Sequence, residues 1–158
     1  NEDAIYKVKV DSGNVADFAG VANKVKLEKT FKTKSKKDYV KLDLNIKNAK
    51  TPAIVELLNS SDKVLKQVKI ENGNKATFEY LAGGDYYIRL IEDKNNDGKW
   101  TTGNYDQKVQ PEMTYYYPSK ITLRANWDRE EDWDILVKPI TEQRPSEMVV
   151  NEKKSKKR

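Results

Sequence analysis

Asp93, Asn95 and Asp97 place three side-chain oxygen donors at alternate positions of Asp93-Lys94-Asn95-Asn96-Asp97-Gly98-Lys99-Trp100-Thr101-Thr102-Gly103-Asn104, with Gly98 where a tight ion-binding loop turns sharply. Hard oxygen donors at this spacing suit calcium. The expected ligand set is the Asp93, Asn95 and Asp97 side chains, the Lys99 carbonyl and a later oxygen from Asn104 or Asp106. Two features depart from that pattern. The twelfth position holds Asn104 where a helix–loop–helix calcium site has a bidentate Glu, and Lys94 and Lys99 reduce the local negative charge. The same residues also read as a long hairpin loop, with Asp and Asn side chains bonding their own backbone and Gly98 and Gly103 supplying positive φ. In either reading the loop is structural. A bound calcium ion stiffens it and drives no reaction.

Trp100 lies inside this loop and either plugs the end of the domain or faces solvent, where it is a candidate ligand-binding residue. With Trp127, Trp133 and Tyr115-Tyr116-Tyr117 it forms an aromatic set that could stack on sugar rings. Strand alternation sends Tyr116 away from its neighbours and gives Trp133 the parity of Ile135 and Val137, so most of the set reads as core.

Catalytic chemistry is narrowed by composition. The chain has no His and no Cys, which removes Ser-His-Asp and Cys-His nucleophile systems, imidazole or thiolate metal ligands and any disulfide framework. Neither a phosphate-binding nor a dinucleotide glycine motif is present. Asp128, Glu130, Glu131, Asp132 and Asp134 supply carboxylates enough for glycoside hydrolysis. Flanked by Arg124 and Arg129, they read more simply as a solvated hairpin end. The expectation is a protein that is not an enzyme.

The elements that must position these residues are strands. Val40, Leu42, Leu44 and Ile46 alternate with Lys41, Asp43, Asn45 and Lys47, the signature of a half-buried strand. Ala53–Leu58 and Val64–Ile70 flank an Asn59-Ser60-Ser61-Asp62 turn, and Asn72-Gly73-Asn74 leads to a strand bearing Ala76, Phe78 and Tyr80, so two hairpins share a strand. Tyr86–Ile91, Met113–Tyr117, Ile121–Ala125 and Trp133–Val137 complete about eight strands, the number of an all-β, antiparallel β-sandwich.

The ends differ from this middle. Residues 1–37 hold two strand-like runs, around Ile5-Val8-Val10 and Leu27-Phe31; they are read as a remnant of a preceding domain plus a Lys34–Lys37 linker, or as extra strands of the sandwich. The sandwich itself is assigned to 38–138. Residues 139–158 carry charge, two prolines and little periodicity, and read as a disordered basic tail. Of the net charge of +5, the tail segment Asn151–Arg158, with five basic residues and one Glu, supplies +4. That concentration points to a solvated terminus rather than a nucleic-acid surface, with electrostatic binding to an anionic surface as a third possibility. No apolar stretch approaches the length a membrane helix requires. The chain starts at Asn1 without a basic-then-apolar leader, which reads as a segment of a longer protein.

Phe78-Glu79-Tyr80-Leu81-Ala82-Gly83-Gly84-Asp85-Tyr86-Tyr87-Ile88-Arg89 resembles the central signature of prealbumin-like and Cna-B-like β-sandwich repeats. Its continuation through Asp93–Tyr105, Gln110-Pro111-Glu112, Tyr115–Pro118 and Arg124–Asp128 is similar to the C-terminal region of Bacteroidetes cell-surface proteins with bacterial Ig-like domains. The match covers roughly residues 38–137, and Tyr6–Ser35 resembles the end of a preceding Ig-like domain of the SbsA-like type. The resemblance implies an extracytoplasmic location, in the cell envelope and surface-exposed or periplasmic, with lipid anchoring through an upstream segment. It implies no particular activity. The expected function is therefore a noncatalytic surface-protein module, a spacer or a presenter of a binding face, possessing a calcium-stiffened loop if the ion binds. The alternative is a carbohydrate- or peptide-binding module using the Trp100 loop. Partners are other domains of the same protein or a glycan or protein ligand, and not nucleic acid.

Overall fold

The computed structural model describes residues 2–148, so the basic tail expected over Asn151–Arg158 lies outside the described residues. The chain divides into two compact units, Asn1–Asp38 and Tyr39–Arg158. In the first, β1 (Ile5–Val10) and β2 (Leu27–Lys32) pair only with each other, antiparallel, with Tyr6 opposite Phe31 and Val10 opposite Leu27. Alternation puts Tyr6, Val8, Val10, Leu27 and Phe31 on one side of this ribbon, where Tyr6 and Phe31 stack at 5.6 Å. The opposite side is charged, with Glu28 bridging Lys7, Lys9 and Lys26.

The second unit is an all-β sandwich of eight strands: β3 (Val40–Lys47), β4 (Ala53–Leu58), β5 (Val64–Ile70), β6 (Lys75–Leu81), β7 (Gly84–Glu92), β8 (Thr114–Tyr116), β9 (Ile121–Leu123) and β10 (Arg129–Asp134). One sheet has the order β10-β3-β6. The other has the order β5-β4-β7-β8, with β9 also pairing β7. Among the described residues no helix is long and apolar enough to cross a membrane.

The core follows the period-2 pattern. Val40, Leu42, Leu44 and Ile46 of β3 are all buried in one cluster with Val55, Leu57, Ile88 and Leu90 of the facing sheet and with Phe78 and Trp133 of β3's neighbours. Each such burial contributes about 1.5–3 kcal/mol of transfer free energy, so this alternation alone dictates which faces come together.

Three local readings of the sequence are corrected. Residues 71–74 do not close a hairpin: β6 pairs β3, so this turn carries the chain from one sheet to the other, where Ala76 and Phe78 face the shared core. Tyr80 does not continue the inward set. The register shifts between Val40 and Leu42, the backbone of Tyr80 adopts φ +56°, and Leu81 turns inward instead while Tyr80 packs edge-on against Tyr39 in the open. The last strand is Arg129–Asp134 rather than Trp133–Val137. It runs parallel to β3, with Trp133 opposite Ile46, after the chain has crossed between the sheets. Ile135 is still buried beside Trp133, but Val137 lies beyond the strand in solvent.

Residues 139–148, expected to be disordered, form two short 3-10 turns, Ile140–Glu142 and Ser146–Met148, packed on the outer face of the five-stranded sheet. Met148 is fully buried against Leu58 and Tyr87, with Tyr116 alongside. Composition concealed this because one apolar side chain and one well-bonded Gln anchor the whole segment.

Candidate functional site

The acidic loop leaves β7 at Asp93, whose carboxylate is completely buried. Its Oδ1 accepts the Asp97 N–H at 3.0 Å and its Oδ2 accepts the Gly98 N–H at 2.9 Å. The Lys69 ammonium lies 3.8 Å from Oδ2. Closing this turn takes Gly98 to φ +78°, a region where a side chain is disfavoured. Asp97 in turn accepts from the Lys99 N–H, the Asn95 amide and the Thr101 hydroxyl, and these bonds, led by that from Lys99, hold its carboxyl below the usual range.

Glu112 fastens the other side of the loop, a role the sequence did not announce. Its Oε1 accepts the Lys94 N–H and its Oε2 the Thr101 N–H, both at 2.8 Å, while its backbone carbonyl accepts from the Trp100 indole at 3.1 Å. The sequence separation of 19 from Asp93 to Glu112 hides this pairing from any local motif.

The expected ion ligands are thus only partly gathered. Asp93, Asn95 and Asp97 share one turn with Thr101, and Lys99 enters through its amide N–H. Asn104 and Asp106 belong to a separate small hairpin, in which Asn104 and Val109 exchange backbone bonds and the Asn104 side chain accepts the Gln107 N–H. Gly103 is required there by a close approach, since a Cβ would sit 2.5 Å from the Val109 carbonyl; it is not among the positive-φ glycines. Among the described residues no three His, Cys, Asp or Glu side chains converge as a metal-ligand group. The donors present do not form a closed calcium set. The charge beside Asp93 is matched by Lys69.

The loop lies over the outer face of the five-stranded sheet. Gln67 and Lys69, on β5, donate side-chain hydrogen bonds to the Gly98 and Asn96 carbonyls, above the buried outward-facing pair Ile54 and Ile91. Next along the face comes a cross-strand pair, with Arg89 Nε donating to Glu56 at 2.6 Å and Nη1 to Asp62 at 3.3 Å. Beyond it sits the 139–148 segment. Gln143 donates to the Ile135 and Lys138 carbonyls and accepts the Tyr116 N–H, while Arg144 reaches Asp62 and, together with Arg89, lies over the Tyr116 ring. Loop and segment cover the two ends of one sheet face.

Glu130, Glu131, Asp132 and Asp134 are on β10 itself rather than on a hairpin end, and Asp128 immediately precedes the strand. Glu130 and Asp132 both take the Asn45 amide, and Asp134 takes that of Asn48. Glu131 is engaged by Arg129 and by the Tyr117 hydroxyl, which burial and then Glu131 push up to about 12. Trp133 and Tyr115 are core, as alternation required. Trp100 is half exposed with its N–H tied down, and Trp127 is 68% exposed rather than buried.

Comparisons of the chain with protein-family models, curated proteins and solved structures find no match. Its class therefore rests on the fold: an eight-stranded β-sandwich with one sheet face covered at both ends.

Proposed function

We propose that this chain is a noncatalytic module of a larger extracytoplasmic surface protein, serving as a structural spacer or presenting a binding face. One observation carries the reading. Among the described residues each buried carboxylate is engaged by the protein itself: Glu56 by Arg89, Glu92 by the Tyr115 hydroxyl, Asp93 by two amides and Lys69, and Glu112 by two amides. Asp93 and Glu112 are thereby held in fixing a loop, and Glu56 and Glu92 in cross-strand pairs, whereas a general acid or base must be free to exchange a proton with a substrate. The likeness of roughly residues 38–137 to the C-terminal region of surface proteins supports the extracytoplasmic location and the lipid anchor upstream. Calcium as a stiffening ion is not carried into this reading, because the Lys69 ammonium and two backbone amides already hold the Asp93 carboxylate.

The alternative, glycan or peptide binding through Trp100, draws on the half-exposed ring of that residue. Iodide quenching separates the two in a Trp127→Phe background, where Trp100 is the exposed indole and Trp133 is buried. Unchanged quenching across a panel of neutral glycans and peptides supports the spacer. Protection by one of them, lost in Trp100→Ala, supports the alternative. Resistance of the native protein to protease added to intact cells would count against surface exposure.

A further inference from the structure

Where the chain crosses from β9 to β10 it leaves an open pocket of about 380 Å³ lined by Thr122, Leu123, Arg124, Trp127, Asp128 and Arg129. That volume lies within the range of small-ligand sites. The turn that shapes it is firmly built: Arg124 and Trp127 form a β-bridge, Asn126 takes φ +63°, and the Asn126 N–H donates to the Tyr39 carbonyl at 3.1 Å. We propose that this pocket binds acidic saccharides, with the Trp127 indole stacking on a sugar ring and the Arg124 guanidinium pairing with a uronate carboxylate.

The side chains divide into those committed to structure and those left for a ligand. Arg129 is committed, donating to Glu131 at 2.6 Å and to the Thr122 carbonyl at 2.9 Å. Arg124 forms no ion pair or side-chain hydrogen bond among the described residues, although it lies beside an exposed indole. An unpaired guanidinium presents a planar fork matched to a carboxylate. Asp128 accepts the Lys41 N–H through Oδ1, and its Oδ2 has no partner among the described residues, which suits a sugar hydroxyl. A flat apolar ring between a carboxylate-binding cation and a hydroxyl acceptor matches a charged pyranose.

This site is independent of the Trp100 loop, and its test keeps the two apart. Calorimetric titration of the full chain uses galacturonate and mannuronate trisaccharides, with their methyl esters as ring-preserving neutral controls. The expected result is binding of at least one acidic trisaccharide, weakened tenfold or more by esterification and equally by Arg124→Ala. Trp127→Ala abolishes binding, and Trp100→Ala leaves it unchanged. Both pocket residues are exposed, so thermal melts of their variants should match the parent. Absence of binding by both acids, equal affinity for acid and ester, or binding that survives Trp127→Ala overturns the proposal. Loss of binding in Trp100→Ala alone would assign the saccharide to the other loop.

Discussion

Arg89 and Glu56 pair across β7 and β4 at 2.6 Å on the side of the five-stranded sheet facing away from the sandwich core. Both lie largely out of solvent, between the acidic loop at one end and the 139–148 segment at the other. Removing one partner leaves the other charge desolvated. Arg89→Met is therefore expected to cost about 2–3 kcal/mol in urea unfolding, less than the roughly 3–5 kcal/mol of a fully buried pair because both side chains keep some access to water. Glu56→Gln with Arg89→Met should recover part of that loss in a double-mutant cycle. Additive losses would show that the pair is not coupled.

Met148 tests whether the C-terminal segment belongs to the folded unit. Its side chain is fully buried against Leu58 and Tyr87, so Met148→Ala should cost about 2–3 kcal/mol by chemical denaturation. Amides of Leu58 and Tyr87 should also exchange faster with solvent. An unchanged unfolding midpoint would mean that the segment adds nothing to the sandwich.

For the acidic loop, the geometry predicts melts that coincide in excess calcium and in EDTA, since Lys69 and backbone amides already satisfy Asp93. Asp93→Ala should lower stability by about 1–3 kcal/mol in both conditions, because the Asp97 and Gly98 amides lose their acceptor. A calcium-dependent rise in Tm that disappears in Asp93→Ala would instead establish an ion site by mass action.

Acid stability should carry the mark of Asp43. Partial burial opposes its ionisation, but hydrogen bonds from Thr77, Lys41 and Lys75 outweigh that cost and draw its pKa down to about 2. A depressed folded-state pKa stabilises the fold above the unfolded value, near 4, and the contribution is lost as pH falls from there through about 2. Asp43→Asn should remove at most about 2 kcal/mol at neutral pH, discounted by the exposure of both lysines, and flatten the acid-unfolding curve in that window. Parallel curves for the two proteins would show that Asp43 is not linked to folding.

What the sequence determined by itself was local and periodic. Alternation in 40–47 fixed which side of β3 is buried, because successive side chains of a strand point to opposite faces whatever it pairs with. The Asn59–Asp62 turn was legible for the same reason: Asn59 bonds the amides of Ser61 and Lys63, within four residues of itself. Tertiary structure decided what depends on distant partners. Local pattern does not distinguish a hairpin from a crossover, so pairing of β6 with β3 rather than β5 was hidden until both sheets closed on one core. Glu112 became the fastener of the acidic loop only when β8 brought it back beside Asp93 and Thr101. Burial of Met148 and exposure of Trp127 likewise depend on which surfaces meet, a property of the packed sheets that neither residue's type nor its neighbours encode.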